Sequence, residues 1–233
     1  PKDPHGIPMK LYRSAGKHYN PTRVAAFALA NYNRHLNTGD KRSRDVFLDM
    51  AKWFMGSTDG CWYYQFDWND LRAPWLSCMS QGEGISVLVR AYLLTKDSTY
   101  LECAILAAET FSKPTIEGGV LGSIDTDSPF LEEYPSINPD HVLNGFLYAL
   151  IGLLDLHEFC GIEKKALNLD KLLATLSKCI AMWDLGYWSA YDLRHKRGGA
   201  PNPCTAGYHN LQITQLLNIA KRTANDDLMA VAQ

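Results

Sequence analysis

The feature that most constrains this sequence is a helical hydrophobic period that recurs along nearly the whole chain and falls into successive pairs. Asn20-Pro21 is a cap followed by proline at the first helical position, and it opens a stretch with Val24, Phe27, Ala28, Asn31 and Tyr32 on one face. Asp40 caps a second stretch carrying Val46, Phe47, Met50, Trp53 and Phe54, stopped by Gly56. A third runs from about Met79 to Thr95, and a fourth from the Asp97-Ser98 cap to near Phe111. The fifth spans Asn138 to Phe159, with Pro139 at its start and Gly161 past its end. It is apolar on nearly every side, as an inner helix must be. The sixth covers about Ala166 to Trp183, the seventh Tyr208 to Thr223, and a short eighth begins at Asn225.

Between the pairs lie segments of another kind. Cys61 to Trp68 alternates aromatic and polar residues like a strand, Val120 to Ile124 follows Gly118-Gly119 as another, and Gly186 to Arg194 reads as a third. Helix pairs joined by short aromatic hairpins predict an all-α architecture, an incomplete α/α toroid in which loops from one end of every pair meet over one cleft. Residues 19–233 form this domain, and residues 1–18 read as an arm. The helix starts at Ser80-Gln81-Gly82, Asn138 and Tyr208-His209-Asn210 would then present N–H groups and positive dipole ends to one cleft, which suits an anionic ligand.

Charge and cysteine usage narrow the function classes. With 23 Lys+Arg against 25 Asp+Glu, the formal net charge is −2, so there is no basic field for nucleic acid or an anionic membrane. The longest apolar stretch, Gly145 to Leu154, is about half of the roughly 20 residues that a spanning helix needs. Pro1 to Gly6 lacks the apolar run of a signal peptide, although a chain starting at Pro is compatible with trimming. The 6 cysteines include no C-x-x-C pair and read as reduced thiols, and no N-x-[ST] acceptor is present. These features favour a cytoplasmic, reducing compartment. The 7 histidines do not cluster with cysteines at zinc spacing. Asp125-Thr-Asp127 is the one candidate for a divalent cation, with an acidic turn the preferred reading.

Tyr191-Asp-Leu-Arg-His195 is the most chemical-looking stretch, placing a phenol, a carboxylate, a guanidinium and an imidazole together. A guanidinium binds a carboxylate bidentately and favours phenolate in a nearby tyrosine. Such a set suits proton transfer at a carbon beside a carboxylate, which ends as epimerisation or, with loss of a leaving group, as a lyase. Leu131-Glu-Glu-Tyr-Pro-Ser136 adds two carboxylates and a phenol at the entry of the fifth helix. Asp125, Asp127, Glu132 and Glu133 keep a hydrolytic carboxylate pair open, and a catalytically silent glycan-binding module is a further alternative.

Five segments in order, Trp75 to Asp97, Glu132-Glu-Tyr-Pro135, Val142-Leu-Asn-Gly-Phe146, Tyr191-Asp-Leu-Arg-His195 and Tyr208-His209, resemble the C-terminal domain of the D-glucuronyl 5-epimerases. The resemblance runs from about Tyr19 almost to the end. It implies an α/α-barrel and conversion of glucuronic to iduronic acid in a heparosan-like polysaccharide, the precursor of heparan sulfate. By the same resemblance Tyr134, Tyr191, Tyr208 and Glu133 are catalytic, and Arg194, His195, His209, Asn144, Gln81 and Trp75 line the substrate cleft. It implies an acidic polysaccharide partner, no cofactor, a homodimer as the oligomeric state to examine, and the Golgi lumen if the chain belongs to an animal-type enzyme. Glu83 stands in the Q-G-x-x-I-S motif where a neutral residue is expected, adding negative charge near an anionic substrate. The β-rich regions that precede the helical domain in animal members have almost no counterpart here.

Overall fold

The computed structural model describes residues 1–232. Eight α-helices follow one another as four pairs: α1 (Pro21–Thr38) with α2 (Lys41–Met55), α3 (Cys78–Thr95) with α4 (Ser98–Ala108), α5 (Leu143–Cys160) with α6 (Leu169–Cys179), and α7 (Ala206–Thr223) with α8 (Asp226–Val231). The odd-numbered helices pack side by side in the order α1, α3, α5, α7, and each even-numbered helix packs outside its own partner. This is the α/α toroid that the pairing of apolar stretches predicts. Two antiparallel hairpins complete it, β1 (Met9–Tyr12) with β2 (Gly16–Tyr19) and β3 (Leu121–Asp125) with β4 (Ser128–Leu131).

Local chemistry explains most of the boundaries. The Asn20 side chain accepts the Arg23 N–H at 2.8 Å, Asp40 accepts from Arg42 at 3.1 Å, and Asp97 accepts from Thr99 at 3.1 Å. Gly39 and Gly161 close α1 and α5 in the left-handed region. Phe47, Met50, Ala51 and Phe54 form the buried stripe of α2. Turns from an inner to an outer helix are short, such as Gly39-Asp40 and Lys96-Asp97, whereas every return to an inner helix is long. The long returns therefore gather at one end of the toroid, over the N-termini of the inner helices. The site must be sought there.

α3 and α5 cross backbone to backbone. A Cβ on Gly82 would fall 2.5 Å from Ala149 Cα and from the Tyr148 carbonyl, and one on Gly152 would overlap the Gly82 backbone. Gly82→Ala is therefore expected to cost ~2–3 kcal/mol in urea unfolding by forcing this crossing apart. The ~1 kcal/mol that alanine gains over glycine as a helix former opposes only part of that cost.

Some expectations are corrected. The fifth helix starts at Leu143, not Asn138. Asp140 and Leu143 instead bond across to Leu193 and Tyr191, and His141 takes a positive φ of 54°, which no helix can hold. Cys61 to Trp68 keeps its alternating burial but forms no ladder, only single bridges from Tyr64 to Trp75 and from Trp68 to Leu71. Gly186 to Arg194 likewise pairs only at Ser189 and Ala190. The segment read as an arm carries the β1–β2 hairpin, whose Tyr12 packs among Tyr64, Phe66, Leu71 and Trp75. All six cysteines are unpaired, and Cys78, Cys103, Cys179 and Cys204 are buried. Among the described residues no helix is long and apolar enough to cross a membrane.

Candidate active site

Where the long returns meet, a cleft of about 150 Å³ opens between the first hairpin, the start of α1 and the entries to α3 and α5. Its floor is aromatic. Tyr64 stacks on Trp75 at 4.2 Å and 8°, Tyr134 packs on the same indole at 6.0 Å, and the Trp75 Nε1–H donates to the Phe66 carbonyl at 2.8 Å. Lys10, Thr22, Glu133 and Tyr208 also border it. A larger groove of about 790 Å³ lies on the other side of residues 61–65, against α2, but its one carboxylate, Asp59, is exposed. Only the smaller cleft carries a buried acid.

That acid is Glu133, which is 6% exposed. Its sequence position places it directly after β4, where the chain turns towards α5. The absence of a side chain at Gly145 makes room for it, since a Cβ there would lie 2.6 Å from Glu133 Oε2. The Asn144 Nδ2–H donates to Oε2 at 3.3 Å and the Tyr191 hydroxyl to Oε1 at 3.4 Å, and the nearby Tyr134 hydroxyl also favours the charged carboxylate. Asn144 is itself held by Gln215, which donates to the Asn144 carbonyl at 3.1 Å. Burial pushes the Glu133 carboxyl up to about 7, against the pull of Tyr134, Tyr191 and Asn144. Its neighbour Glu132 is occupied elsewhere, bonded to His141 Nδ1 at 2.8 Å.

The phenols do not behave as the basic cluster predicts. Burial first, then the charge of Glu133, drives Tyr134 and Tyr191 well above the ordinary tyrosine value, and burial raises Tyr208 as well. The expected cation is not free to oppose this. Arg194 donates from Nε to both oxygens of buried Asp192 at 3.0 Å, with Nη2 2.7 Å from Asp192 and 3.5 Å from Asp140. These phenols are therefore neutral at rest, and Glu133 is the group able to ionise near neutrality.

The cleft gathers some of the expected residues and not others. Glu133, Tyr134, Trp75 and Tyr208 line it, with Tyr191 and Asn144 directly behind on the Glu133 carboxylate. Tyr191 meets Tyr208 edge-on at 5.2 Å. Gln81 is turned into the core, donating to the Gly60 carbonyl and accepting the Trp62 N–H, both at 2.9 Å. His209 stacks on Trp188 at 3.8 Å, bonds Ser189, and faces a different hollow of about 580 Å³. His195 sits in a 3₁₀ turn with both ring nitrogens buried and unpartnered. Burial, reinforced by Glu133, pushes the Glu83 carboxyl well above the usual carboxylate range. The helix N-termini are less available than predicted, since Cys78 N–H and Leu143 N–H bond to the Glu132 and Tyr191 carbonyls. Sequence reasoning missed Lys10, whose signal was the alternation Met9-Lys-Leu-Tyr12 ahead of Gly16.

No group of three or more His, Cys, Asp or Glu able to hold a metal occurs among the described residues. Asp125 is taken by Lys178 and Ser128, and these bonds with the Asp127 N–H hold its carboxyl down at about 2.

Comparison with known proteins starts from the fold. A family 76 glycoside hydrolase from a bovine Bacteroides thetaiotaomicron strain superposes with a TM-score of 0.60 at 13% identity, covering 89% of this chain and 46% of its own. At that identity the likeness defines the architecture alone, an α/α-barrel. Residues 55–233 match the family described as D-glucuronyl C5-epimerase C-terminus, and the chain belongs to that family. It is 36% identical over 159 residues to a D-glucuronyl C5-epimerase of Caenorhabditis elegans, over 63% of this chain and 26% of that protein. It is 29% identical over 170 residues to an uncharacterized protein of Methanocaldococcus jannaschii, over 71% of this chain and 53% of that one. The chain thus spans about a quarter and about half the length of these two curated relatives.

Proposed function

We propose that the chain is the catalytic part of a carbohydrate epimerase that inverts carbon 5 of D-glucuronic acid residues to L-iduronic acid in a heparosan-like polysaccharide. The observation that carries this reading is Glu133: a buried carboxyl held at about 7, bonded to Tyr191 and sharing the cleft with Tyr134, in a family of C5-epimerases. A general base works best when its pKa lies near the working pH.

In this mechanism the uronate enters over Trp75 with its carboxylate towards Lys10, the cation that borders the cleft. Neutralising that carboxylate stabilises the enolate that forms when carbon 5 loses its proton. Tyr134 or Tyr191 takes the carbon-5 proton as its own phenolic proton moves to Glu133, so neither has to exist as free phenolate. The C–H electron pair passes into the enolate. A tyrosine on the other side of the ring then returns a proton to carbon 5, and the configuration is inverted. Acid–base groups alone suffice for these steps. A hydrolytic carboxylate pair receives no support, because Glu132 is bonded to His141.

Lys10→Met is expected to raise KM for the polymer about 10-fold, a loss of ~1.4 kcal/mol, with a smaller change in kcat. Steady-state kinetics at two ionic strengths checks this, since the salt dependence should shrink with the charge.

The defining test is incubation with desulfated, glucuronate-rich heparosan in deuterated water, followed by NMR. Deuterium at carbon 5 with new iduronate signals is the expected result. New alkene protons would make the chain a lyase, new reducing ends a hydrolase, and binding without either would leave a silent glycan-binding module.

A further inference from the structure

We propose that the large groove against α2 is a second binding site for the anionic polysaccharide, holding one stretch of the polymer while another reacts in the cleft. This inference rests on the epimerase reading above. The groove, of about 790 Å³, is lined by Lys17, His18 and Tyr19 of β2, by Lys52 and Trp53 near the end of α2, and by Tyr63. It backs directly onto the cleft. In the segment after Gly60, Tyr63 and Gln65 face the groove while Tyr64 and Phe66 face the cleft. The first hairpin divides in the same way, with Lys10 and Tyr12 towards the cleft and Lys17 and Tyr19 towards the groove. The hairpin and residues 61–66 thus form one wall between two cavities, and each of its faces carries a cation beside aromatic rings.

Charge and ring chemistry select the occupant. Residues 1–20 hold Lys2, Lys10, Arg13 and Lys17 against Asp3 alone, in a chain whose net charge is −2. The segment that carries the hairpin is therefore basic although the molecule is not. Lys17 is exposed, and its cross-strand partner Leu11 brings no charge. Lys52 pairs with Asp49 at 3.3 Å, but both side chains are largely exposed, and such pairs hold an ammonium only weakly. The groove's own carboxylate is engaged by its loop. Asp59 accepts from the Ser57 hydroxyl at 2.8 Å, the Cys61 N–H at 3.0 Å and the Tyr63 hydroxyl at 3.2 Å. Close in sequence to the two lysines, Tyr19 and Trp53 meet at 5.7 Å and give the C–H face of a sugar ring a surface to pack on. A polymer of uronic acids supplies both partners, carboxylates for the ammonium groups and pyranose rings for the aromatics. Nucleic acid fits less well, since two lysines release few counterions.

Size divides the labour between the cavities. At about 150 Å³ the cleft is smaller than ordinary ligand pockets, which run to roughly 300–1,000 Å³, whereas the groove falls within that range. The cleft has room for the reacting residue and little of the chain around it. A polymer held in the groove presents its other residues to the cleft at a raised local concentration, without any new contact at the reacting carbon. The groove therefore acts on KM for long chains and leaves kcat alone. An oligosaccharide too short to reach both cavities gains nothing from it.

A Lys17→Met, Lys52→Met double variant tests the groove on long heparosan and on a short glucuronate oligosaccharide. KM for the long polymer should rise about 10-fold with kcat within about twofold, while both constants for the oligosaccharide stay unchanged. Lys10→Met, on the cleft side of the wall, should instead weaken both substrates alike. Equilibrium binding of labelled heparosan, measured without turnover at two ionic strengths, should show the double variant binding more weakly and with a shallower salt dependence. Carboxyl-reduced heparosan should bind the unaltered chain no better than it binds the variant. An unchanged KM for the long polymer overturns the groove, and so does an equal rise for long and short substrates in a variant whose melting temperature is unchanged. Single-stranded DNA binding the unaltered chain as tightly as heparosan would also overturn it, as the mark of a general polyanion surface. An unaltered chain that exchanges nothing at carbon 5 ends the epimerase reading, and the binding measurement then decides the groove by itself.

Discussion

Glu133→Gln is expected to lower carbon-5 proton exchange by ~10²–10⁴-fold and, at pH 8, to make the chain more stable. Both effects have one cause. The carboxyl titrates at about 7 in the folded chain against an ordinary value of 4.5, because burial penalises its charge more than Tyr134, Tyr191 and Asn144 compensate. Below pH 4.5 folded and unfolded chains both hold the proton, and the group costs nothing. Between pH 4.5 and 7 the unfolded chain releases it and the folded chain does not, so stability falls across that window. The loss reaches an upper limit of about 3 kcal/mol above pH 7. Glutamine keeps the shape and removes the charge, so urea unfolding should show the variant gaining at pH 8 and little changed at pH 4. The rate gives the complementary reading. Exchange by the unaltered chain should rise with a midpoint near pH 7, and this midpoint should vanish in the variant. A variant that keeps the midpoint would move the base to another group.

What the sequence revealed, and what it hid, divides along the range of the interactions. Caps at Asn20, Asp40 and Asp97 are local, made by a side chain to an N–H two or three residues on, and they were legible. The Asn138-Pro139 signal is just as local, but it lost to pairing with residues 191–193, more than fifty positions away. Arg194 looked free because Asp140 is equally remote, and Asp192 looked like a neighbour rather than a partner.

Helix rotation accounts for other misplacements. Met79 borders the cleft, so Gln81, two residues on and about 200° around α3, faces away from it. Tyr208 and His209 are separated by about 100° and enter different hollows for the same reason. Glu83 is the clearest case of a property no local pattern contains. A glutamate reads as a charge, and only its burial in the assembled toroid drives its carboxyl well above the usual range.

Asp155→Ala is expected to destabilise the fold by ~3–5 kcal/mol, the usual result of removing one partner from a buried ion pair. Asp155 lies in α5 with no exposure and joins three inner helices at the end remote from the cleft. Ser86 Oγ of α3 donates to Oδ2 at 2.6 Å, Arg90 Nη1 of α3 lies 2.5 Å from the same oxygen, and Arg222 Nη2 of α7 is 2.9 Å from Oδ1. Removing the carboxylate would leave two guanidinium groups facing each other, with only Arg222 retaining another anion, Glu158 at 2.9 Å. Arg90 side-chain exposure is 23% and Arg222 15%, so water can relieve only part of that charge. Urea unfolding near pH 7 measures the loss. A cost below ~1 kcal/mol, the range of exposed pairs, would mean that both arginines swing out to solvent. An Asp155→Leu, Arg90→Met double variant should recover stability, since a buried ion pair replaced by apolar groups of similar volume is often neutral or better. In that double variant the cleft at the opposite end should keep its pH midpoint, because Asn144, Gly145 and Glu133 are positioned by the α5 entry and not by this cluster.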